Sequence, residues 1–163
     1  MDYLYAPWRD TYFTEKVDGC VFCNLSTNPA LDEKHHILYR DEYCFVVMNR
    51  YPYAPGHFMV IPHFHTNALE ELDQKVWLHM SCIVQQSIMM LKVGLGAQGA
   101  NIGMNLGKSG GAGIAEHVHY HIIPRWIGDT NFITTIANTR VYSTDFERIY
   151  LKLKDLVPKF ISC

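Results

Sequence analysis

The sequence predicts an α+β fold, with an antiparallel sheet of about five strands, one long central helix and a C-terminal helix. Short β-rich runs bounded by turn residues recur along the chain, and two stretches repeat apolar residues every three or four positions. The 163 residues, 48% hydrophobic and 18% charged, suit one folded domain. We therefore interpret 1–163 as a single domain, in which a polar gap at 26–34 separates an N-terminal segment, 1–34, from the main body, 35–163.

Three strands are predicted at the start of the main body. The runs at 36–40 (HILYR) and 43–49 (YCFVVMN) are split by Asp41 and Glu42, which is typical of a β-hairpin. A third strand at 57–62 (HFMVIP) follows the turn-forming sequence YPYAPG. Strands joined by such short connections favour antiparallel pairing.

The remaining elements alternate between the helical and the strand period. A long amphipathic helix is predicted from a cap at Asn67 to a stop at Gly94, because apolar residues recur at spacings of three and four. A strand at 100–106 and a glycine-rich loop at 107–116 follow, and a strand at 117–123 is expected to end at Pro124. The tail at 144–160 carries apolar residues along one side and predicts the second helix.

Composition excludes several classes of partner. The net charge of −2 provides no basic surface for a nucleic-acid polymer, whereas small phosphorylated ligands remain compatible with it. Without a signal peptide or an apolar run long enough to span a bilayer, we expect a cytoplasmic protein that does not bind membranes. An odd number of cysteines, five, in a reducing compartment argues against a disulfide framework.

The most informative stretch is HVHYH at 117–121, which holds three of the nine histidines. Alternate side chains of a strand share a face, so His117, His119 and His121 would line one surface. Histidine is a poor core residue but a good nucleophile, acid, base or metal ligand. The simpler alternative is an exposed sheet face that happens to carry histidines.

The glycine-rich loop directly before these histidines favours a reactive site. Glycines at 107, 110, 111 and 113 allow backbone N–H groups to converge on phosphate oxygens without any net positive charge. An anion cradle next to a nucleophile predicts phosphoryl or nucleotidyl transfer.

The pattern HVHYHII at 117–123 resembles the histidine triad of the HIT superfamily. The segment NRYPYAPGHFMVIP at 49–62 is similar to another conserved stretch of that family. The flanks at 4–13 and 124–132 resemble the bacterial branch that contains diadenosine tetraphosphate phosphorylases. The resemblance covers nearly the whole chain and implies a HIT-like fold and a homodimer.

The resemblance also implies roles for individual residues. His119 would attack the α-phosphate of a nucleotide and form a covalent nucleotidyl-histidine, while His121 would orient the phosphate or assist the leaving group. His57 would support the triad strand. The implied nucleotide contacts are a ribose-binding position and a phosphate-binding segment, which fall on Asn49, Asn105, Gly111, Ala112 and Gly113.

One departure concerns the residues before the triad. Hydrolase branches of the family carry Gly-Gln-Ser or Gly-Gln-Thr there, whereas this chain reads GAGI at 111–114. Phosphate contacts would therefore depend more on backbone N–H groups. The resemblance implies a dinucleoside polyphosphate substrate with phosphate as the acceptor. The alternatives are a hydrolase that uses water, including an adenylyl phosphoramidase, and a nucleotide-binding protein without turnover.

A metal site is suggested by the pair Cys20 and Cys23. Two thiolates at this spacing can hold one side of a tetrahedral zinc ion. The missing ligands fall on His65 and His117, and the resemblance implies the same set with a structural zinc and no organic cofactor. The alternative is a pair of reduced, partly buried thiols.

Overall fold

The computed structural model describes residues 19–131, 134, 136 and 145–163. In this part of the chain, five strands form one antiparallel sheet in the order β1-β2-β3-β5-β4. Their bounds are Ile37–Arg40 (β1), Cys44–Met48 (β2), Phe58–Pro62 (β3), Gly99–Gly103 (β4) and Tyr120–Arg125 (β5). The predicted α+β fold class is confirmed. The sequence motif at 4–13 lies outside the described residues.

The β1–β2 hairpin forms where Asp41 and Glu42 predict it. Arg40 pairs with Phe45, and the turn is stabilised because one carboxylate oxygen of Asp41 accepts hydrogen bonds from the N–H groups of Tyr43 and Cys44. β2 and β3 then pair along their full lengths, from Cys44 opposite Pro62 to Met48 opposite Phe58. This register places alternate residues of both strands on the same face.

Within the described residues, three α-helices accompany the sheet: α1 (Val21–Thr27), α2 (Gln74–Leu95) and α3 (Phe146–Phe160). Two predicted boundaries of α2 are wrong. Asp73 rather than Asn67 caps the helix, by accepting a hydrogen bond from the Lys75 N–H, because a short 3₁₀ turn at Leu69–Glu71 comes first.

Gly94 does not stop α2 but lies inside it. A Cβ atom there would come within 2.8 Å of Leu156 Cδ1, so the glycine allows α3 to pack closely. The helix ends instead at Gly96, which adopts the left-handed conformation with φ of 64°. Glycine is favoured there because a side chain would be strained.

The last strand also differs from its prediction. β5 begins at Tyr120 rather than at His117, because the Val118 N–H donates to the carbonyl of Thr66 and not to a neighbouring strand. Pro124 does not end the strand but lies within it, opposite Ala100. β3 pairs with β5 only as far as Ile122, so beyond that point one side of β5 tolerates a residue without an N–H group.

The sheet has two apolar layers. The larger core lies between one face and helices α2 and α3, and includes Phe58, Val60, Ile122 and Leu153. The smaller core on the opposite face is formed by Phe22, Ile37, Phe45, Val47, Met59 and Ile61. Met59 of the smaller core pairs with His121. The histidines therefore share the face that α1 covers.

A disulfide joins Cys82 of α2 to Cys163 at the C-terminus, with Cα atoms 6.3 Å apart. The expectation that the cysteines stay unpaired is wrong for these two, because their separation of 81 residues gave no signal in the sequence. The side-chain amide of Gln86 holds the same tail through the N–H and hydroxyl of Ser162. Among the described helices, none is both long and apolar enough to cross a membrane.

Candidate active site

Three histidine side chains form a buried group on the α1 face of the sheet. His57, His119 and His121 are 0%, 4% and 9% exposed. The ring centroid of His121 lies 5.1 Å from that of His57 and 4.8 Å from that of His119. A buried ring nitrogen needs a hydrogen-bonding partner, so the partners determine which nitrogen carries the proton.

The proton positions of His57 and His121 follow from a backbone N–H group. His57 Nδ1 accepts the N–H of Tyr53 at 3.1 Å, so the proton of His57 is on Nε2. That Nε2–H donates to His121 Nδ1 at 3.0 Å. The proton of His121 is therefore on its Nε2, which is left as a hydrogen-bond donor.

In His119 the proton is on the other ring nitrogen, Nδ1. Its Nδ1 lies 2.8 Å from the carbonyl oxygen of His117, and because a carbonyl only accepts, Nδ1 must donate. The lone pair of His119 is therefore on Nε2. The group thus contains one imidazole with a free lone pair, His119, beside one with a free N–H, His121.

Burial keeps these rings neutral. Desolvation, with the neighbouring histidines as a smaller cause, lowers the pKa of His57 to about 3 and that of His121 to about 4. Desolvation also lowers the pKa of His119, although its hydrogen bond to the His117 carbonyl acts in the other direction. At neutral pH the lone pair of His119 is available for attack on an electrophile.

His117 faces away from this group. Its Nε2–H donates to the carbonyl of Pro62 at 2.9 Å, which leaves the lone pair on Nδ1. Nδ1 lies 3.4 Å from Cys20 Sγ and 3.7 Å from Cys23 Sγ. Cys23 Sγ is also 3.2 Å from His65 Nδ1. We call Cys20, Cys23, His65 and His117 the clasp.

The clasp fits a metal ion. Its four ligand atoms, two sulfurs and two ring nitrogens, lie within 4.8 Å of one another, and Cys2His2 is a common donor set for structural zinc. A second cluster, formed by Asp41, Cys44 and His79, is not suited to hold a metal ion. His79 Nε2 donates directly to Asp41 Oδ2 at 2.6 Å, and burial raises the pKa of the Cys44 thiol.

Among the predicted nucleotide contacts, Asn49 is the one with a described contact to a histidine of the group. Its side-chain N–H donates to His57 Nδ1 at 3.2 Å and its oxygen accepts the Tyr51 N–H. The glycine-rich segment with Gly111, Ala112 and Gly113 forms turns before β5, and Asn105 is half-buried where that segment begins. Ile114, which follows these glycines, packs against the smaller core on the histidine face.

Sequence reasoning missed two contributors to the site. The Tyr53 N–H sets the tautomers, yet a backbone group has no sequence signal beyond its place in the turn YPYAPG. Phe22 packs its ring against His119, with centroids 4.9 Å apart, although apolar character alone is typical of any core residue. Its place between Cys20 and Cys23 was the available signal.

Comparison with known proteins agrees with this geometry. The model of the HIT domain matches residues 31–126. An AP-4-A phosphorylase of Mycobacterium tuberculosis is 37% identical over 150 residues, which are 85% of this chain and 75% of that protein. The adenylylsulfatase HINT3 of Arabidopsis thaliana is 30% identical over 148 residues, which are 90% of this chain and 68% of that protein.

A solved structure of a Zn-bound histidine triad family protein from Mycobacterium smegmatis has the same fold. Its TM-score is 0.71 at 28% identity, and the match covers 86% of this chain and 94% of that one. The domain model covers more than half of the chain, and the 37% identical relative covers most of it. This chain therefore belongs to the HIT domain family, as its histidine pattern predicted, and it is similar to the diadenosine tetraphosphate phosphorylase branch that its flanking segments resemble.

Proposed function

We propose that this protein is a nucleotidyltransferase that cleaves a dinucleoside polyphosphate through a covalent nucleotidyl-His119. The specific activity that we propose is that of a diadenosine tetraphosphate phosphorylase. The observation that carries the proposal is the hydrogen bond from His119 Nδ1 to the His117 carbonyl, at 2.8 Å. It leaves a neutral Nε2 lone pair beside a histidine that offers an N–H.

In the first step, His119 Nε2 attacks the α-phosphorus and the bond to the bridging oxygen breaks. That oxygen leaves with its electron pair as a nucleoside polyphosphate, which is a stable anion and needs no proton. The imidazole becomes cationic when Nε2 is bonded to phosphorus, and the His117 carbonyl stabilises the Nδ1–H that carries this charge. The His121 Nε2–H donates to a phosphate oxygen as charge builds there.

In the second step, an oxygen of inorganic phosphate attacks the same phosphorus and the N–P bond breaks. For diadenosine tetraphosphate the products of both steps are ATP and ADP, and His119 returns to its neutral state. The 37% identical AP-4-A phosphorylase supports phosphate as the acceptor. The contacts that we assign to the nucleotide are Asn49 for the ribose and, for the phosphates, Asn105, Gly111, Ala112 and Gly113.

A second candidate uses water as the acceptor, as a hydrolase of dinucleoside polyphosphates or of adenylated compounds. The likeness to an adenylylsulfatase over 90% of the chain favours it. The two candidates share the first step and differ only in the second. A third candidate is a protein that binds nucleotides without turnover.

The clasp residues Cys20, Cys23, His65 and His117 are assigned as ligands of a structural zinc ion, in agreement with their donor set and with the Zn-bound neighbour. When bound, the ion would cross-link the start of α1 to the segment before β5. We also propose a cytoplasmic homodimer. The edge strand β4, whose Ile102 is 48% exposed, supports a contact between copies.

The test is turnover of diadenosine tetraphosphate with and without phosphate, with products separated by chromatography. We expect phosphate-dependent ADP from the wild type and none from His119→Ala. His35→Ala, a half-buried histidine outside the site, should behave as wild type. AMP formed regardless of phosphate would establish the hydrolase. Binding of AMP without any turnover or covalent adduct would favour the non-catalytic protein.

A further inference from the structure

The clasp is connected to His119 through the side chain of Phe22. Phe22 lies between Cys20 and Cys23 at the start of α1 and is only 2% exposed. Its ring meets the His117 ring with centroids 5.6 Å apart and the His119 ring at 4.9 Å, both edge-on. Cys20 and Cys23, on either side of Phe22 in the sequence, therefore belong to the clasp, whereas the ring of Phe22 contacts the proposed nucleophile.

His117 provides a second connection between the same two places. Its ring Nδ1 faces the two thiols, and its carbonyl accepts the His119 Nδ1–H. A shift of His117 would therefore move both the clasp and the acceptor that fixes the tautomer of His119.

The two ends of α1 are held in different ways. Near its C-terminal end, Arg40 donates to the carbonyls of Leu25 and Ser26 and pairs with Asp32. Near its start, the described contacts include the thiol–imidazole contacts of the clasp and the packing of Phe22. Loss of a metal ion from the clasp would therefore loosen the start of α1 and leave the other end anchored.

We propose that Phe22 is a positioning residue for His119 and that occupancy of the clasp determines how firmly Phe22 holds the ring. The hydrogen bond to the His117 carbonyl fixes one nitrogen but leaves the ring free to tilt. Contacts with Phe22 and with His121, whose centroid is 4.8 Å away, limit that tilt. For its effect on rate, this inference rests on the proposed nucleophilic role of His119.

The first test needs no substrate. In protein labelled with ¹⁵N-histidine, the ring signals of His119, assigned by their loss in His119→Ala, are compared between zinc-loaded and metal-stripped protein. We expect zinc to give one sharp Nδ1–H tautomer and removal of zinc to broaden it. Phe22→Leu should bind the same amount of zinc and lose the sharpening. Val21→Ala, a partly exposed neighbour between the same cysteines, should match the wild type.

Unchanged His119 signals on removal of zinc from the wild type would overturn the inference, and so would wild-type behaviour of Phe22→Leu. If Phe22→Leu fails to fold, Phe22→Met, which keeps more apolar volume, takes its place. This test stands even if no nucleotide forms an adduct with the protein. The nuclear magnetic resonance signals therefore test the positioning role, whereas turnover and adduct formation test the proposed function.

The second test measures single-turnover formation of the nucleotidyl adduct with zinc-loaded protein. A positioning role predicts that Phe22→Leu lowers the rate at saturating substrate by about tenfold, with KM changed less than about twofold. The opposite pattern, a raised KM with an unchanged saturating rate, would show that Phe22 contacts the base and would overturn the positioning role.

Discussion

Replacement of His57 tests whether the donor on His121 depends on the hydrogen bond between them. His57 receives the Tyr53 N–H and donates to His121 Nδ1 at 3.0 Å. In His57→Leu the buried Nδ1 of His121 loses its donor, so nothing fixes the proton on Nε2. His57→Gln can still donate an N–H and is the matched control.

The size of the expected rate decrease follows from the burial of the unpaired nitrogen. A buried polar group left without its partner costs about 1–3 kcal/mol, and 1.4 kcal/mol corresponds to tenfold in rate. We therefore expect His57→Leu to slow formation of the nucleotidyl adduct roughly 5- to 100-fold, and His57→Gln to retain most of the rate. Unfolding in urea gives the accompanying loss of stability, so that rates are compared only for folded protein.

A double-mutant cycle gives the result that can refute this reasoning. If His57 acts through His121, then His57→Leu should cost less than about twofold when His121 is already alanine. The assay is rapid-quench measurement of the covalent adduct with saturating diadenosine tetraphosphate. An equal cost of His57→Leu in both backgrounds would show that His57 does not act by orienting His121.

Further predictions concern the pH dependence of rate and stability, the disulfide and the glycine-rich loop. Because burial lowers the pKa of His119, and lowers those of His57 and His121 to about 3 and about 4, the rate of adduct formation should fall with a midpoint below pH 6.5. Below about pH 6.5 the histidines of the unfolded chain bind protons that the native rings do not. The free energy of unfolding should therefore be highest above about pH 6.5 and decrease as the pH falls towards 4. Urea unfolding at several pH values measures this decrease. A rate midpoint near 6.5 would contradict the neutral rings. Cys163→Ser should lower the free energy of unfolding by about 2–4 kcal/mol, because it opens a closed loop; equal stability of oxidised and reduced wild type would argue against this. Gly110→Ala should weaken AMP binding by about tenfold in calorimetry, because its Cβ would lie 2.4 Å from a backbone oxygen of the same loop, whereas Gly103→Ala meets nothing within 4 Å and should not.

The strands and helices could be predicted from local sequence patterns, because the residues that form each element also carry its pattern. β-rich runs bounded by turn residues identified the hairpin and β3, and apolar spacing identified α2 and α3. The stop at Gly94 was wrong because a small residue can serve close helix packing as well as termination. Only the position of α3, some 60 residues further along the sequence, distinguishes the two uses. The Cys82–Cys163 bond escaped prediction for the same reason.

The candidate site shows the same division between side-chain identity and backbone placement. The histidines and the clasp cysteines were identified from residue types and spacing, because few other roles explain such clusters. The tautomers were out of reach, since they depend on the Tyr53 N–H and on the carbonyls of His117 and Pro62. Which carbonyl faces which ring is a property of the folded backbone.

The late start of β5 explains how alternating histidines serve different tasks. In a regular strand the carbonyls lie in the plane of the sheet and bond to neighbouring strands, while side chains project out of that plane. The carbonyl of His117 could not then reach the ring of His119. Because pairing of β5 begins only at Tyr120, this carbonyl is free to accept the His119 Nδ1–H. The same break lets the His117 ring donate to Pro62 and turn its Nδ1 to the thiols. A continuous strand would align three equivalent imidazoles, whereas the interrupted one leaves a lone pair on His119 Nε2, an N–H on His121 Nε2 and a lone pair on His117 Nδ1 that faces the thiols.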